Sequence, residues 1–239
     1  MFTRFCFPEV KPAILGMAQH YPAQDAINMS LFNATALAYP PQALVSGYDT
    51  LRENGDAINS AIPPEPMVET LVEGLYANYF PGPRKKVWLV YNRSGARLDR
   101  PLIRTPFAAG AHYIEAFRDA PVAATREGES VLLSTPIENE QVLCIVELPE
   151  VAKAAVTART LEMQLPAERA PKCRVEVAFG DDAPGKRQEV RLTDGKVRLP
   201  LPDAAREGRT IVRILDGYHL VDEVILDART RLTSDGPAR

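Results

Sequence analysis

Histidine and cysteine are scarce, with three of each in 239 residues. The histidines, His20, His112 and His219, lie far apart, and none falls in an HxxxH or HExxH spacing, so the usual zinc frameworks have no support. Cys6, Cys144 and Cys173 are odd in number and widely spaced, which gives neither a disulfide framework nor a metal set. Cys144 (QVLCIVEL) and Cys173 (KCRVEVAF) sit in strand-like stretches where a thiol serves as a small hydrophobe; a thiol-reducing compartment fits that use. No GxSxG, GxGxxG or GxxxxGK[ST] occurs, so an esterase elbow and a phosphate-cradling loop lack their residues. No metal and no cofactor is expected. No stretch reaches the roughly 18–20 apolar residues of a membrane span. The opening MFTRFCFPEVKPAILG is interrupted by Pro8, Glu9, Lys11 and Pro12, so no signal peptide reads from it. The expectation is no membrane partner and a cytoplasmic location. A net charge of −3 and a pI near 5.7 leave no basic footprint for nucleic acid.

Proline, by contrast, is abundant at 21 residues. Its clusters at Pro40-Pro41, Pro63-Pro64-Pro66 and Pro81-Pro83 punctuate the chain. The pattern predicts a mainly β protein with a short α/β N-terminal segment and two β-sandwich-like modules. The expected divisions are 1–66, 67–149, 150–229 and a polar, disordered tail over 230–239. In the first segment, AILGM reads as a strand. A helix capped by Asp25 follows, with apolar positions Ile27, Leu31, Ala34 and Leu37, and Pro40-Pro41 stops it. Leu44, Val45, Tyr48, Leu51 and Ile58 keep helical spacing through a second helix weakened by Gly47 and Gly55. The second segment carries GLYANYF, KVWLVYN, LIRTP, AHYIEAF, SVLLSTP and QVLCIVEL, short strands parted by turn residues, which suggests a sandwich. KVWLVYN is apolar on both faces and belongs at the centre of a sheet. In the third segment CRVEVAF alternates, Thr193-Asp194-Gly195 predicts a hairpin between QEVRL and KVRLPL, and Gly217 predicts another. A bulge is expected near Asp222-Glu223.

Candidate chemistry is thin. Glycosidases need two flanking carboxylates, and Glu9 and Asp25 are the early acids near a strand-to-helix loop. His20, Tyr21 and Gln24 follow AILGMA, where the C-terminal end of a barrel strand would face a pocket. Glu9 and Asp25 are thus the catalytic candidates, and His20, Tyr21 and Gln24 the substrate-binding ones. The plainer reading of the same residues is that Asp25 caps a helix and His20 makes a loop hydrogen bond. Trp88, Tyr91, Tyr76, Tyr79 and Tyr113 could form a stacking platform for sugars, although aromatics at alternating strand positions are more often core. Arg97, Arg100 and Arg104 read as a solvated face.

The run GLYANYFPGPRKKVWLVYNRSG, then LIRTPFAAGAHYIEAFRDAPV and SVLLSTPIENEQVLCIVEL, resembles the C-terminal β-sandwich that follows the catalytic barrel in many glycoside-hydrolase-like proteins. Lys86 to Asn92 matches that pattern's "WTLYN"-like strand. His112 to Phe117 matches its "YYDAW"-like strand, with Phe117 where the pattern has tryptophan. Upstream, FCFPE, AQHYPAQ and INMSLFNATALAYP resemble the last strand and helix of such a barrel. The resemblance covers roughly residues 1–148. It implies the C-terminal accessory region of a carbohydrate-active protein, not catalytic alone. Its expected partners are carbohydrate and a missing barrel domain or second chain, because a (β/α)₈ barrel takes about 250 residues and the segment before residue 67 is far shorter. The alternative is a non-enzymatic β-sandwich module for carbohydrate binding or other interaction. With its partners gone, the first sixty residues are expected to expose an apolar surface.

Overall fold

The computed structural model describes residues 5, 13–15, 23–38, 45–157, 160–180, 187–202 and 208–227. It is mainly β, with helices confined to the N-terminal part, and it divides into two compact units, 1–148 and 149–239. None of its described helices is long and apolar enough to cross a membrane.

The first unit is built on a five-stranded sheet. Its strands are β3 (Leu75–Pro81), β4 (Lys86–Asn92), β6 (Ala111–Glu115), β7 (Ala120–Pro121) and β10 (Val142–Pro149), in the order β3-β4-β10-β6-β7. A three-stranded sheet of β5 (Pro101–Pro106), β9 (Ser130–Ser134) and β8 (Ala123–Glu127), ordered β5-β9-β8, packs on one face. Alternation decides which side chains meet there. Leu75, Ala77, Trp88, Val90, Leu143 and Ile145 from the large sheet interdigitate with Leu102, Ile103, Val131 and Leu133 from the small one. Each fully buried Val, Leu or Ile contributes about 1.5–3 kcal/mol. Trp88 belongs to this core at 4% exposure and stacks on Tyr79 with centroids 5.1 Å apart.

The opposite face of the large sheet is equally apolar. Phe80, Val87, Leu89, Tyr91, Cys144 and Val146 are buried although they point away from the sandwich core. The N-terminal segment covers them. Strand β1 (Ala13–Leu15), helix α1 (Ala23–Phe32) and strand β2 (Ala36–Ala38) form a β-α-β unit whose strands pair in parallel. Helices α2 (Val45–Glu53) and α3 (Gly55–Ile58) follow. Phe32 meets Tyr91 at 5.7 Å between rings and Phe5 meets Phe80 at 6.0 Å. The tight turn between β3 and β4 lets α3 close on the sheet, since a Cβ on Gly82 would sit 2.7 Å from the Ala57 Cβ.

Two expectations for this segment change. The helix predicted through Leu37 ends at Phe32, because Ala34 takes a left-handed φ of 48° and residues 36–38 turn back as β2. The described residues of the segment also do not form the expected apolar surface. Among described residues before position 60, Val45 is the one large hydrophobe counted as exposed, at 49%, since the sheet's second face supplies the cover.

The second unit is a seven-stranded sandwich. One sheet holds β11 (Lys153–Val156), β12 (Thr160–Gln164) and β15 (Lys196–Pro200); the other is ordered β14 (Gln188–Val190), β13 (Cys173–Phe179), β16 (Arg209–Asp216), β17 (His219–Asp227). Leu161, Met163, Val175, Val177, Val212 and Ile214 fill the space between. The Thr193-Asp194-Gly195 turn forms as predicted, with Asp194 and Gly195 at φ 50° and 73° and Thr193 and Lys196 exchanging two 2.9 Å backbone hydrogen bonds, but β14 and β15 do not pair with each other beyond that bridge. β14 pairs with β13 and β15 with β12, so the turn carries the chain from one sheet to the other. The Gly217 hairpin forms as expected. Its irregularity falls where Ile214 faces Asp222 and Leu215 faces Leu220, leaving Val221 as the extra residue just before the predicted place. The predicted tail over 230–239 lies outside the described residues.

One charge pair pins α3 to the sheet. Lys85, 3% exposed, places Nζ 2.8 Å from Asp56 Oδ1 and donates to the Glu53 carbonyl at 3.0 Å. Burial pulls this ammonium below its usual pKa, and Asp56 opposes the shift. Asp56→Ala is expected to cost about 3–5 kcal/mol, because it strands a buried cation. Lys85→Met combined with Asp56→Leu is expected to recover most of that loss. Urea unfolding followed by Trp88 fluorescence measures both.

Candidate functional site

Two grooves flank α1. The first, of about 580 Å³, is lined by Phe5, Met29, Phe32, Asn33, Pro66, Met67, Tyr76, Asn78, Tyr91 and Arg93. Its construction follows from the strand pairing. Tyr76 and Tyr91 are opposite partners on β3 and β4, so both project from the outer face of the sheet. Beyond β3, Glu65 exchanges two 2.8 Å backbone hydrogen bonds with Tyr79, and the Val68 amide donates to Ala77. Between them Pro66 and Met67 swing outward, with Met67 at a φ of 54°. Buried Asn78 holds the pieces together. Its Nδ2 donates to the Phe32 carbonyl at 2.9 Å, and its Oδ1 accepts from the Met67 amide at 3.1 Å. The end of α1 and the Pro66-Met67 lip are therefore fixed to one side chain.

The floor is buried Phe32, Asn33 and Tyr91. The rim is exposed, with Tyr76 at 40% and Met67 at 51%. Arg93 closes one end. Its Nη1 donates to the Tyr91 hydroxyl at 3.1 Å, and its guanidinium carbon lies 5.7 Å from the centre of that ring. The Tyr91 hydroxyl bond raises the arginine pKa further, so the group is a permanent cation. Asn33 spends its Nδ2 on the Met29 carbonyl at 2.8 Å, and its Oδ1 takes no hydrogen bond among the described residues. Among the described residues, the lining contains no carboxylate, histidine or cysteine. It offers an aromatic face, an amide oxygen and a guanidinium, which is binding chemistry and not proton-transfer chemistry.

The second groove, about 540 Å³, lies along the other side of α1 and is more polar, with Gln24, Asn28, Ser46, Glu138, Asn139 and Glu140 in its wall. Gln24 Nε2 donates to Asn28 Oδ1 at 2.9 Å, and Asn28 Nδ2 donates to the Glu140 carbonyl at 2.6 Å. Of the sequence-based candidates, Gln24 thus borders the polar groove. Asp25 sits within the first turn of α1, where its charge favours the helix dipole. Glu9, His20 and Tyr21 lie outside the described residues. Among the described residues, no group of three or more His, Cys, Asp or Glu is placed to hold a metal ion.

Two buried glutamates went unnoticed in the sequence. Glu115 is fully buried in the first unit. It accepts from the amides of Phe117 (3.2 Å) and Cys144 (3.0 Å) and pairs with Arg118 Nε at 2.6 Å. Glu147 accepts from the Tyr113 hydroxyl at 3.0 Å and pairs with Lys86 Nζ at 2.7 Å. Burial drives the Tyr113 hydroxyl upward, with the Glu147 charge adding to the effect. Both carboxylates are committed to holding strand ends. A buried acid beside a basic residue carries no sequence signal that separates this role from catalysis. Of the five aromatics considered for a stacking platform, Trp88, Tyr91 and Tyr113 are buried and Tyr79 is half-buried, which leaves Tyr76 to present an open ring. Arg97 and Arg104 are solvated, each paired with a glutamate at 3.0 Å.

Burial raises the Glu115 pKa, and its hydrogen bonds with Arg118 and the backbone amides only partly offset this. A raised native pKa means the folded state holds the proton more tightly. The resulting stability is present below the unfolded value near 4.5 and is lost as pH rises through the native value. Relative to wild type, Glu115→Gln is therefore expected to gain stability as pH rises above the unfolded value near 4.5 in urea titrations; a constant difference would contradict this assignment. The position of Trp88 predicts that iodide leaves its fluorescence unquenched in the native chain and quenches it in urea.

No protein-family model and no curated protein matches the chain. Among solved structures, it is similar to a Bacillus halodurans protein described provisionally as an alpha-N-acetylgalactosaminidase, at 10% identity and a TM-score of 0.36. The likeness covers 54% of this chain and 33% of that one, so the match spans about a third of the neighbour's length. At that score it bears on neither activity nor site.

Proposed function

We propose that this chain is the C-terminal accessory region of a carbohydrate-active, glycoside-hydrolase-like protein, and that it holds carbohydrate in the Tyr76 groove without turning it over. The observation that carries this reading is the groove's composition. A pyranose ring presents an apolar face and a rim of hydroxyls. Tyr76 and Met67 suit the face, while Asn33 Oδ1 and the Arg93 guanidinium suit the hydroxyls. Proton transfer would need a carboxylate or imidazole, and the described lining residues supply neither.

The accessory role rests on the resemblance of residues 1–148 to the end of a barrel and the sandwich behind it. Strand β1, helix α1 and parallel strand β2 are the kind of β-α-β step from which barrels are built. On this reading residues 1–66 are the partial barrel-like segment, and the partner that would extend it is a missing barrel domain or a second chain. Glu9, Asp25, His20 and Tyr21 would belong to that composite region, with Gln24 on the polar side of α1. A stand-alone binding or interaction module is the alternative, and it shares the groove.

Titration with neutral oligosaccharides, followed by the side-chain amide signals of Asn33 and Asn78 and the Nε signal of Arg93, is the test. Shifts are expected to centre on these three groups. Tyr76→Ala is expected to weaken binding about tenfold, the equivalent of roughly 1.4 kcal/mol of lost ring contact, with little change in Tm because the ring is open to solvent. Turnover of aryl glycosides by the isolated chain, or shifts clustered elsewhere, would reject the reading.

A further inference from the structure

We infer that the Tyr76 groove selects a carboxylate-bearing sugar, a uronic-acid unit, with Arg93 as the residue that reads the carboxylate. This rests on the carbohydrate-binding reading above and narrows it to one chemical class.

Among the described residues, Arg93 is the one charged side chain in the groove lining, and no carboxylate forms an ion pair with it. Glu140 and Asp25 influence it electrostatically without bonding to it. Two other exposed arginines of this unit are held by acids. Arg97 is bound to Glu138 and Arg104 to Glu127, each at 3.0 Å. Arg100 and Arg126 are also exposed without an ion pair among the described residues, but neither lines the aromatic groove, and Arg126 is engaged by the Gly128 carbonyl and the Phe107 ring.

Its attachment also matters. Tyr91 is buried at 4% exposure, so its hydroxyl is a rigid acceptor, and the bond from Nη1 steadies one branch of the guanidinium. The backbone is held as well, since the Arg93 amide donates to the Gly74 carbonyl at 2.8 Å. A guanidinium has five donors in a planar fork, and one bond to Tyr91 leaves Nε and Nη2 for a bidentate pair with a carboxylate. A neutral hydroxyl can use one of these donors; a carboxylate uses two. Tyr76 would pack the sugar ring while Arg93 takes the acid group. Bulk charge cannot produce such a preference, because the whole chain carries −3 and repels a polyanion at long range.

The experiment compares uronic-acid oligosaccharides with the same oligosaccharides after carboxyl reduction, which replaces each carboxylate by a CH₂OH group. Calorimetric titration of the full chain at low and at 0.15 M salt measures both. The native chain is expected to bind the acidic form at least tenfold more tightly. Arg93→Gln is expected to abolish the preference while keeping affinity for the reduced form. Arg97→Gln, which removes the same charge outside the groove, is expected to leave the preference intact. Tyr76→Ala is expected to weaken both forms. Equal binding of the two forms, still dependent on Tyr76, would overturn this inference and leave the carbohydrate reading standing. Equal loss in the Arg93 and Arg97 variants would also overturn it, by showing a generic charge effect. Binding of neither form would reject both.

Discussion

Strands β4 and β10 have almost no side chain that can face water. Every residue from Val87 to Asn92 is buried, and so is every residue from Val142 to Leu148. A sheet with such strands at its centre must be covered twice, because each exposed apolar face would forfeit its burial energy. The small β5-β9-β8 sheet closes one face and completes a sandwich. The other face recruits the helices of the N-terminal segment. The three-layered first unit follows from that requirement.

The same requirement explains where charges occur inside. Lys85 with Asp56, Glu147 with Lys86 and Tyr113, and Glu115 with Arg118 all sit where strand ends or helices join the sheet. Each buried ion is matched by a partner of opposite charge, as burial in a low-dielectric interior demands. These groups fasten layers together. The groove beneath Tyr76 is of another kind. It opens where the cover supplied by α1 ends and the Pro66-Met67 lip begins, and its surface is aromatic and amide with one cation. Among the described residues, acids are placed in the joints and kept out of the groove wall, an arrangement suited to holding a ligand.

The second unit shows how a local signal and its global use can separate. Asp194-Gly195 supplies the left-handed pair that a tight turn needs, and a Cβ on Gly195 would meet the Leu165 carbonyl oxygen at 2.7 Å. The turn is therefore fixed by residue chemistry. Whether it closes a hairpin or carries the chain between sheets depends on which neighbours β14 and β15 find. β13 and β12 win because their partnerships bury Val175, Val177, Leu161 and Met163 in one core.

Local chemistry written in the sequence determined the strands from GLYANYF to QVLCIVEL, the central place of KVWLVYN, the inward Trp88 and the Gly217 turn. Period-two alternation, β-branched runs and turn residues act over a few positions and need no distant partner. The end of α1 was not legible, because Leu37 keeps helical spacing while Ala34 reverses the chain. The grooves were less legible still. Tyr76 and Tyr91 become neighbours only through the β3-β4 register, and Phe32 and Asn33 reach them only because Asn78, more than forty residues away, takes the Phe32 carbonyl. Cover for the sheet's second face, an open ring at Tyr76 and a cation at Arg93 that the Tyr91 hydroxyl holds are properties of surfaces made by segments distant in the chain, and long-range packing alone decided them.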